Sequence, residues 1–201
     1  AIMAACDQII AGEGHEFFVV DMLQGGAGTS TNMNANEVIA NMALRRIGKP
    51  RGDYASINPN DPVNLSQSTN DVYPTAVRLT ILRDCPSLLD SQIALKAAFL
   101  KKAAEFDHII KVGRTQLMDA VPMRLGSEFR AFGVTVGEDV DRLKEFANLL
   151  REVNLGGTAI GTGINTPGDY PATVIRHLSK VSGVDLVTAG DIIEDTSDMG
   201  A

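Results

Sequence analysis

At 201 residues, with 44% apolar side chains and a mean hydropathy of +0.03, the chain can bury the core of an ordinary globular fold. A net charge of −7, a pI near 4.9 and 18 scattered Lys and Arg residues exclude a basic nucleic-acid surface. No uncharged apolar run of about 18 residues and no leader pattern at the N-terminus sends it to a membrane, and Cys6 and Cys85, without a CxxC spacing, read as reduced thiols of a cytoplasmic protein.

In chain order, Ala1-Ile2-Met3-Ala4-Ala5-Cys6 opens the sequence without an initiator methionine, and the end at Ala201 follows turn residues, so both ends read as cuts. Phe17–Val20 is a candidate strand. The glycine-rich segment Gly25–Ser30 then leads into a helix from about Asn32 to Ile47, stopped by Gly48. A connection holding Pro50, Pro59 and Pro62 runs to Ser68. From Asp71 a helix extends to about Arg83, with Pro74 tolerated in its first turn. Ser87 is a candidate N-cap for a second helix reaching Phe106. This one carries two apolar stripes, Leu88, Leu95, Phe99 and Phe106 on one and Leu89, Ile93, Leu100 and Ala104 on the other, as expected inside a bundle.

Lys111–Thr115 is the other candidate strand, at the start of a polar loop ending at Pro122. Between Ser127 and Arg151, Phe129, Phe132, Val136, Val140, Leu143 and Leu150 recur at three- and four-residue spacing, which predicts a helix. Gly133 and Gly137 within it cost about 1 kcal/mol each relative to Ala, so close helix packing is expected on that face. Gly156–Gly168 forms a fourth polar loop, followed by a helix over Pro171–Val181. The fold class expected is mainly α, a long-helix bundle with a smaller mixed N-terminal portion. The boundary falls at 69/70, with 1–69 closing an N-terminal domain and 70–201 beginning a central helical-bundle domain.

The chemistry sits in Gly25-Gly26-Ala27-Gly28-Thr29-Ser30, Gln67-Ser68-Thr69-Asn70-Asp71 and the loop from Gly113-Arg114-Thr115-Gln116 to Pro122. These clusters are rich in hydroxyls, amides and glycine-exposed N–H groups, the donors that a small dianion needs, and hold neither a nucleophile–base pair nor a metal-ligand spacing. A nucleotide loop is disfavoured because neither the Gly-Lys-Ser/Thr ending nor GxGxxG occurs, in this segment or in Gly156–Pro167. Plain structural roles stand beside the ligand role: Thr29, Ser30, Thr31 and Ser68 can cap helices, Arg114 and Asp119 can pair, and Thr115 and Gln116 can satisfy loop backbone. His15, His108 and His177 lie far apart and receive no role.

Occurring in this order, the motifs resemble those of the aspartase/fumarase superfamily, and the resemblance extends from the Gly25 loop to Thr196-Ser197-Asp198. Gly28-Thr29-Ser30, Gln67-Ser68-Thr69-Asn70-Asp71 and Gly113-Arg114-Thr115-Gln116 are closest to the aspartase branch. Class II fumarases carry Gly-Thr-Gln, Gln-Ser-Ser-Asn-Asp and Gly-Arg-Thr-His at those places. The resemblance implies an ammonia-lyase turning L-aspartate into fumarate, in which Thr29, Ser68 and Thr69 hold the β-carboxylate and Asn70 contacts the amino group. Thr115 would bind the α-carboxylate, with Gln116 near the amino group. It further implies a homotetramer with a central helical bundle and sites shared between subunits, with divalent-metal activation in some members although no cofactor ligand set is visible. The superfamily's base is a serine on a Gly-Ser-Ser-x-Met-Pro-x-Lys-x-Asn loop, and no such segment occurs in the 201 residues. Its place is expected beyond Ala201, so this stretch alone is expected to be inactive. Class II fumarate hydratase and an inactive assembly fragment are the alternative readings.

Overall fold

The computed structural model describes residues 1–23 and 28–198, and Gly25, Gly26 and Ala27 of the first polar cluster lie outside them. Backbone contacts divide the chain into two compact units, Ala1–Leu79 with Arg151–Gly200 and Thr80–Leu150, the first division falling inside a helix.

In the first unit, α1 (Ile2–Ile10) packs along α2 (Thr29–Arg46). Ala5, Val38, Ala40, Met42, Ala43 and Leu44 are buried together with Ile57 and Val63. Alanines at the crossing let the two helices approach, so the core is made of small and medium side chains rather than aromatics. Between these helices the chain makes a 3-10 turn at His15–Phe17 and no strand at Phe17–Val20. Asn34 takes the place of a strand partner: its Oδ1 accepts from the N–H groups of Val19 and Val20 and its Nδ2 donates to the Phe17 carbonyl. Side-chain bonding of this kind holds the segment extended without a ladder.

Helix α3 (Thr69–Glu105) is one uninterrupted 37-residue helix, where the sequence suggested two, ending near Arg83 and starting at Ser87. Pro86 interrupts the pattern in sequence but removes only one backbone donor, and buried Cys85 beside it shows the helix packed through that point. In the first unit α3 is followed by β3 (Glu152–Val153), α5 (Tyr170–Ser182), β4 (Val187–Thr188), which pairs parallel with β3, and α6 (Ile192–Ser197).

The second unit holds the remainder of α3, the antiparallel hairpin of β1 (Ile110–Thr115) and β2 (Met118–Arg124), and α4 (Leu125–Leu149). The hairpin lengthens the expected strand and converts the expected loop into its partner strand. Its turn is Gln116-Leu117, with φ of 48° and 65°, the left-handed pair that a two-residue turn needs to match strand twist. The expected Arg114–Asp119 ion pair forms at 3.1 Å on the exposed face. Phe99, Phe106, Phe129 and Phe132 form a ring cluster, with Phe106 and Phe129 centroids 5.2 Å apart. α4 approaches α3 along Gly126, Gly133 and Gly137, where a methyl at Gly133 would stand 3.1 Å from Leu100 Cδ2. At Gly126 an added Cβ would run into the Ala103 carbonyl and stand 2.7 Å from Asp107 Cα, both backbone.

Gly126→Ala therefore forces two backbone segments apart. It should destabilise the protein by about 1–3 kcal/mol, read as a lower urea midpoint, whereas an unchanged midpoint would refute the close approach.

Candidate functional site

Two helix starts and one glycine loop meet in the first unit. α2 begins at Thr29, three residues before the expected start, with Gly28 at its cap position in a left-handed conformation of φ 86°. The ring of Tyr73 lies where a Cβ on Gly28 would stand, 2.5 Å from its ring carbons. Only glycine permits that approach, and it brings the Thr29 end of α2 beside the first turns of α3. A second tie is polar: Asn64 Oδ1 accepts from Asn36 Nδ2 at 2.9 Å and Asn32 Nδ2 at 3.3 Å, while Asn64 Nδ2 donates to the Gln67 carbonyl.

At the start of α3, Ser68 and Asp71 form a reciprocal cap. Ser68 Oγ accepts from the Asn70 N–H at 3.2 Å, and Asp71 Oδ1 accepts from the Ser68 N–H at 2.9 Å. Accepting that bond leaves the Ser68 hydroxyl proton available to donate. Asn70 Nδ2 donates to the Ala159 carbonyl at 2.8 Å, which aims the side chain along the loop. Among the described residues no hydrogen bond engages Asn70 Oδ1 or the hydroxyls of Thr29 and Thr69. The arrangement thus offers unspent hydroxyl donors and one unspent amide acceptor, the combination that holds a carboxylate and an ammonium.

The other oxygen of Asp71 reaches across the chain. Oδ2 accepts from the N–H of Gly156 at 3.1 Å and of Thr158 at 2.9 Å, and the residue is 0% exposed. Burial pushes this carboxyl above its ordinary range, against the pull of the backbone N–H bonds that favour its charge. Burial also raises the Tyr170 hydroxyl, helped by the Asp71 charge. Asn154 adds a further link, donating to the Asn70 carbonyl and to Thr196 Oγ1, each at 3.0 Å. Arg78, two turns into α3, donates to the Glu152 carbonyl and forms a two-pronged pair with Asp195 at 2.6 and 3.0 Å, with side chains only 4% and 9% exposed.

A cleft of about 400 Å³ opens here, lined among others by Gln67, Ser68, Thr158 and Asn165. Ser66, Thr158 and Asn165, all on this cleft, have φ of 62°, 59° and 69°. Non-glycine residues in that region are held there by their surroundings and concentrate at functional sites.

Of the residues singled out from sequence, Thr29, Ser68, Thr69 and Asn70 are in this unit, the last three consecutive at one helix start. Thr115 and Gln116 belong to the other unit, exposed at the hairpin tip. Sequence reasoning quoted Asp71 without giving it a role, and passed over Asn154 and Arg78. The Ser-x-x-Asp spacing of 68–71 was a usable sign for Asp71, whereas nothing local marks the other two, whose partners lie 84 and 117 positions away. Among the described residues no three His, Cys, Asp or Glu side chains converge as a metal site would require.

The sequence model of the family described as Lyase matches residues 1–201. An aspartate ammonia-lyase of Pseudomonas fluorescens is 60% identical over 202 residues, covering all of this chain and 42% of its own length. The aspartate ammonia-lyase of Helicobacter pylori (strain ATCC 700392 / 26695) is 51% identical over 201 residues, covering all of this chain and 43% of its own. This chain therefore spans about two-fifths of the relatives that it matches. Among solved structures, a fumarate lyase:delta crystallin from Brucella melitensis bound to cobalt superposes with a TM-score of 0.86 at 58% identity, over 97% of this chain and 42% of that one. A recombinant class II fumarase from Schistosoma mansoni gives a TM-score of 0.79 at 31% identity, over 97% and 44%.

Removing Asp195 takes away the carboxylate that both prongs of the buried Arg78 guanidinium bond. Asp195→Ala should cost about 3–5 kcal/mol, measured by denaturant unfolding, and a loss below 1 kcal/mol would show the pair to be solvated.

Proposed function

Because the chain belongs to the lyase family, whose model covers all of it, we propose that it is the donor-bearing part of an aspartate ammonia-lyase, which eliminates ammonia from L-aspartate to give fumarate. The observation that carries the proposal is the start of α3, where Ser68, Thr69 and Asn70 present unspent donors and an acceptor next to Thr29. Relatives named aspartate ammonia-lyase at 50–60% identity support the substrate.

In this reading Thr29, Ser68 and Thr69 hold the β-carboxylate. Removing the β-carbon proton turns that carboxylate into an aci-carboxylate dianion, and fixed neutral donors stabilise the growing charge without having to reorganise. Asn70 Oδ1 accepts from the substrate ammonium, whose C–N bond breaks as the C=C bond of fumarate forms. Thr115 takes the α-carboxylate and Gln116 lies near the amino group. A glutamine in Gly113-Arg114-Thr115-Gln116 favours ammonia over water as the leaving group, since class II fumarases carry histidine there. The proton-abstracting serine of this chemistry sits on a Gly-Ser-Ser-x-Met-Pro-x-Lys-x-Asn motif that residues 1–201 do not carry.

The same reading makes the intact protein a cytoplasmic homotetramer, divided at 69/70 into the end of an N-terminal domain and the start of the central bundle. Exposed apolar side chains on the second unit's helices support assembly, Leu88, Ile93, Leu95 and Phe132 each being 46–49% exposed. Sites shared between subunits would then bring Thr115 and Gln116 to donors on another copy.

Intact protein should release ammonia from L-aspartate, and equal or faster formation of fumarate from L-malate would contradict the assignment. Thr115→Val in that protein should lower kcat/KM by about 2–3 kcal/mol of transition-state stabilisation, and unchanged kinetics would remove Thr115 from the site.

A further inference from the structure

The proposed chemistry uses Ser68, Thr69 and Asn70 but leaves Asp71, the most deeply buried group beside them, without a task. A helix cap needs one carboxylate oxygen, and Oδ1 on the Ser68 N–H supplies it. Oδ2 is spent on the N–H groups of Gly156 and Thr158, 85 and 87 positions along the chain. Local capping does not account for that half of the side chain, nor for the cost of burying a charge at 0% exposure.

The loop end of this junction is held in a conformation with its own costs. Thr158 is a β-branched residue at φ 59°, and its Oγ1 is buried without a hydrogen-bond partner among the described residues. Gly156, at φ 98°, has Pro171 where a Cβ would stand, 2.7 Å from the Pro171 Cα. Such geometry persists only where the surroundings over-determine it. Here the bonds to Asp71 Oδ2 do so from one side and the α5 start from the other. From the loop, Asn70 receives its orientation through the Ala159 carbonyl and the Asn154 amide. Asn70, at one end of the donor triplet, is thereby referenced to the glycine loop as well as to α3.

We propose that Asp71 is a positioning residue of the dicarboxylate site: by bonding the Ser68, Gly156 and Thr158 N–H groups it sets where Ser68, Thr69 and Asn70 present their polar atoms. This rests on the functional reading given above. Donors that stabilise an aci-carboxylate contribute mostly in the transition state, so displacing them by a fraction of an ångström lowers kcat more than it raises KM. Asp71→Asn keeps the shape but turns an amide N–H₂ toward backbone donors, which breaks one side of the junction.

The experiment uses the intact protein. Wild type is first assayed with L-aspartate for ammonia and with L-malate for fumarate, and the variant is then compared on the substrate that wild type turns over. Turnover of malate alone would sink the aspartase reading and still leave Asp71 testable at a dicarboxylate site. The expected result is a folded Asp71→Asn protein, with wild-type sedimentation and circular dichroism, whose kcat falls by about tenfold or more while KM stays within about threefold. Asp71→Glu, which keeps the charge and both acceptors, should recover part of that kcat. A lower unfolding temperature with kcat and KM per folded site unchanged would overturn the proposal, because it would leave Asp71 a purely structural role. Failure of both variants to fold, or absence of any wild-type turnover, would overturn it too.

Discussion

A carboxylate removed from water must find donors, and the donors that Asp71 finds decide how this part of the molecule is built. Three backbone N–H groups from two segments converge on it. One belongs to the start of α3 and two to a glycine loop that follows α4 in sequence, so a single side chain closes a long chain loop. Its neighbours obey the same rule. Asn154 spends its amide on the Asn70 carbonyl and Thr196, and Arg78 spends its guanidinium on Asp195 and the Glu152 carbonyl. Buried polar groups left unmade would each cost more than the net gain of making them, so the network specifies one arrangement of α3, the loop and α6. Ser68, Thr69 and Asn70, which could bind a carboxylate and an ammonium, thereby stand at a helix start tied to the glycine loop.

The long helices contribute differently. In the second unit, α4 lies against α3 on glycines at 126, 133 and 137, and a four-ring phenylalanine cluster fills the space beyond. Dispersion and close approach hold these helices together, with few polar ties. The hairpin carries Thr115 and Gln116 at its tip, on a turn whose two residues both take left-handed backbone. A turn of that kind costs stability in side chains other than glycine and asparagine.

Much of this was legible in sequence. Three- and four-residue apolar spacing located α4 and glycine signals bounded α2, each to within a few residues, as with the helix expected over Pro171–Val181, and the glycines of α4 marked the close packing correctly. The break expected between Arg83 and Ser87 did not occur, because Pro86 is a local veto that tertiary packing overrides. The strand expected at Phe17–Val20 failed for a related reason: its β-branched and aromatic residues found a partner in Asn34 rather than in another strand. Thr29, Ser68, Thr69 and Asn70 drew notice in sequence because hydroxyls and amides gathered at helix starts exceed what capping needs, and the structure places Thr29 and Thr69 in the first turns of α2 and α3. Asp71 carries a local sign only for its Ser68 half. Its bonds to Gly156 and Thr158, and those of Asn154 and Arg78, run to partners 42 to 117 positions distant, which leave no local signature.

The central claim is that the Asp71 carboxylate clamps the glycine loop to the start of α3. Residue-resolved amide hydrogen exchange on the intact protein tests it most directly. The account predicts that the amides of Gly156 and Thr158, though in a loop, exchange as slowly as those of core residues such as Leu44. Exchange of these two amides at the rate of exposed loop positions would contradict it.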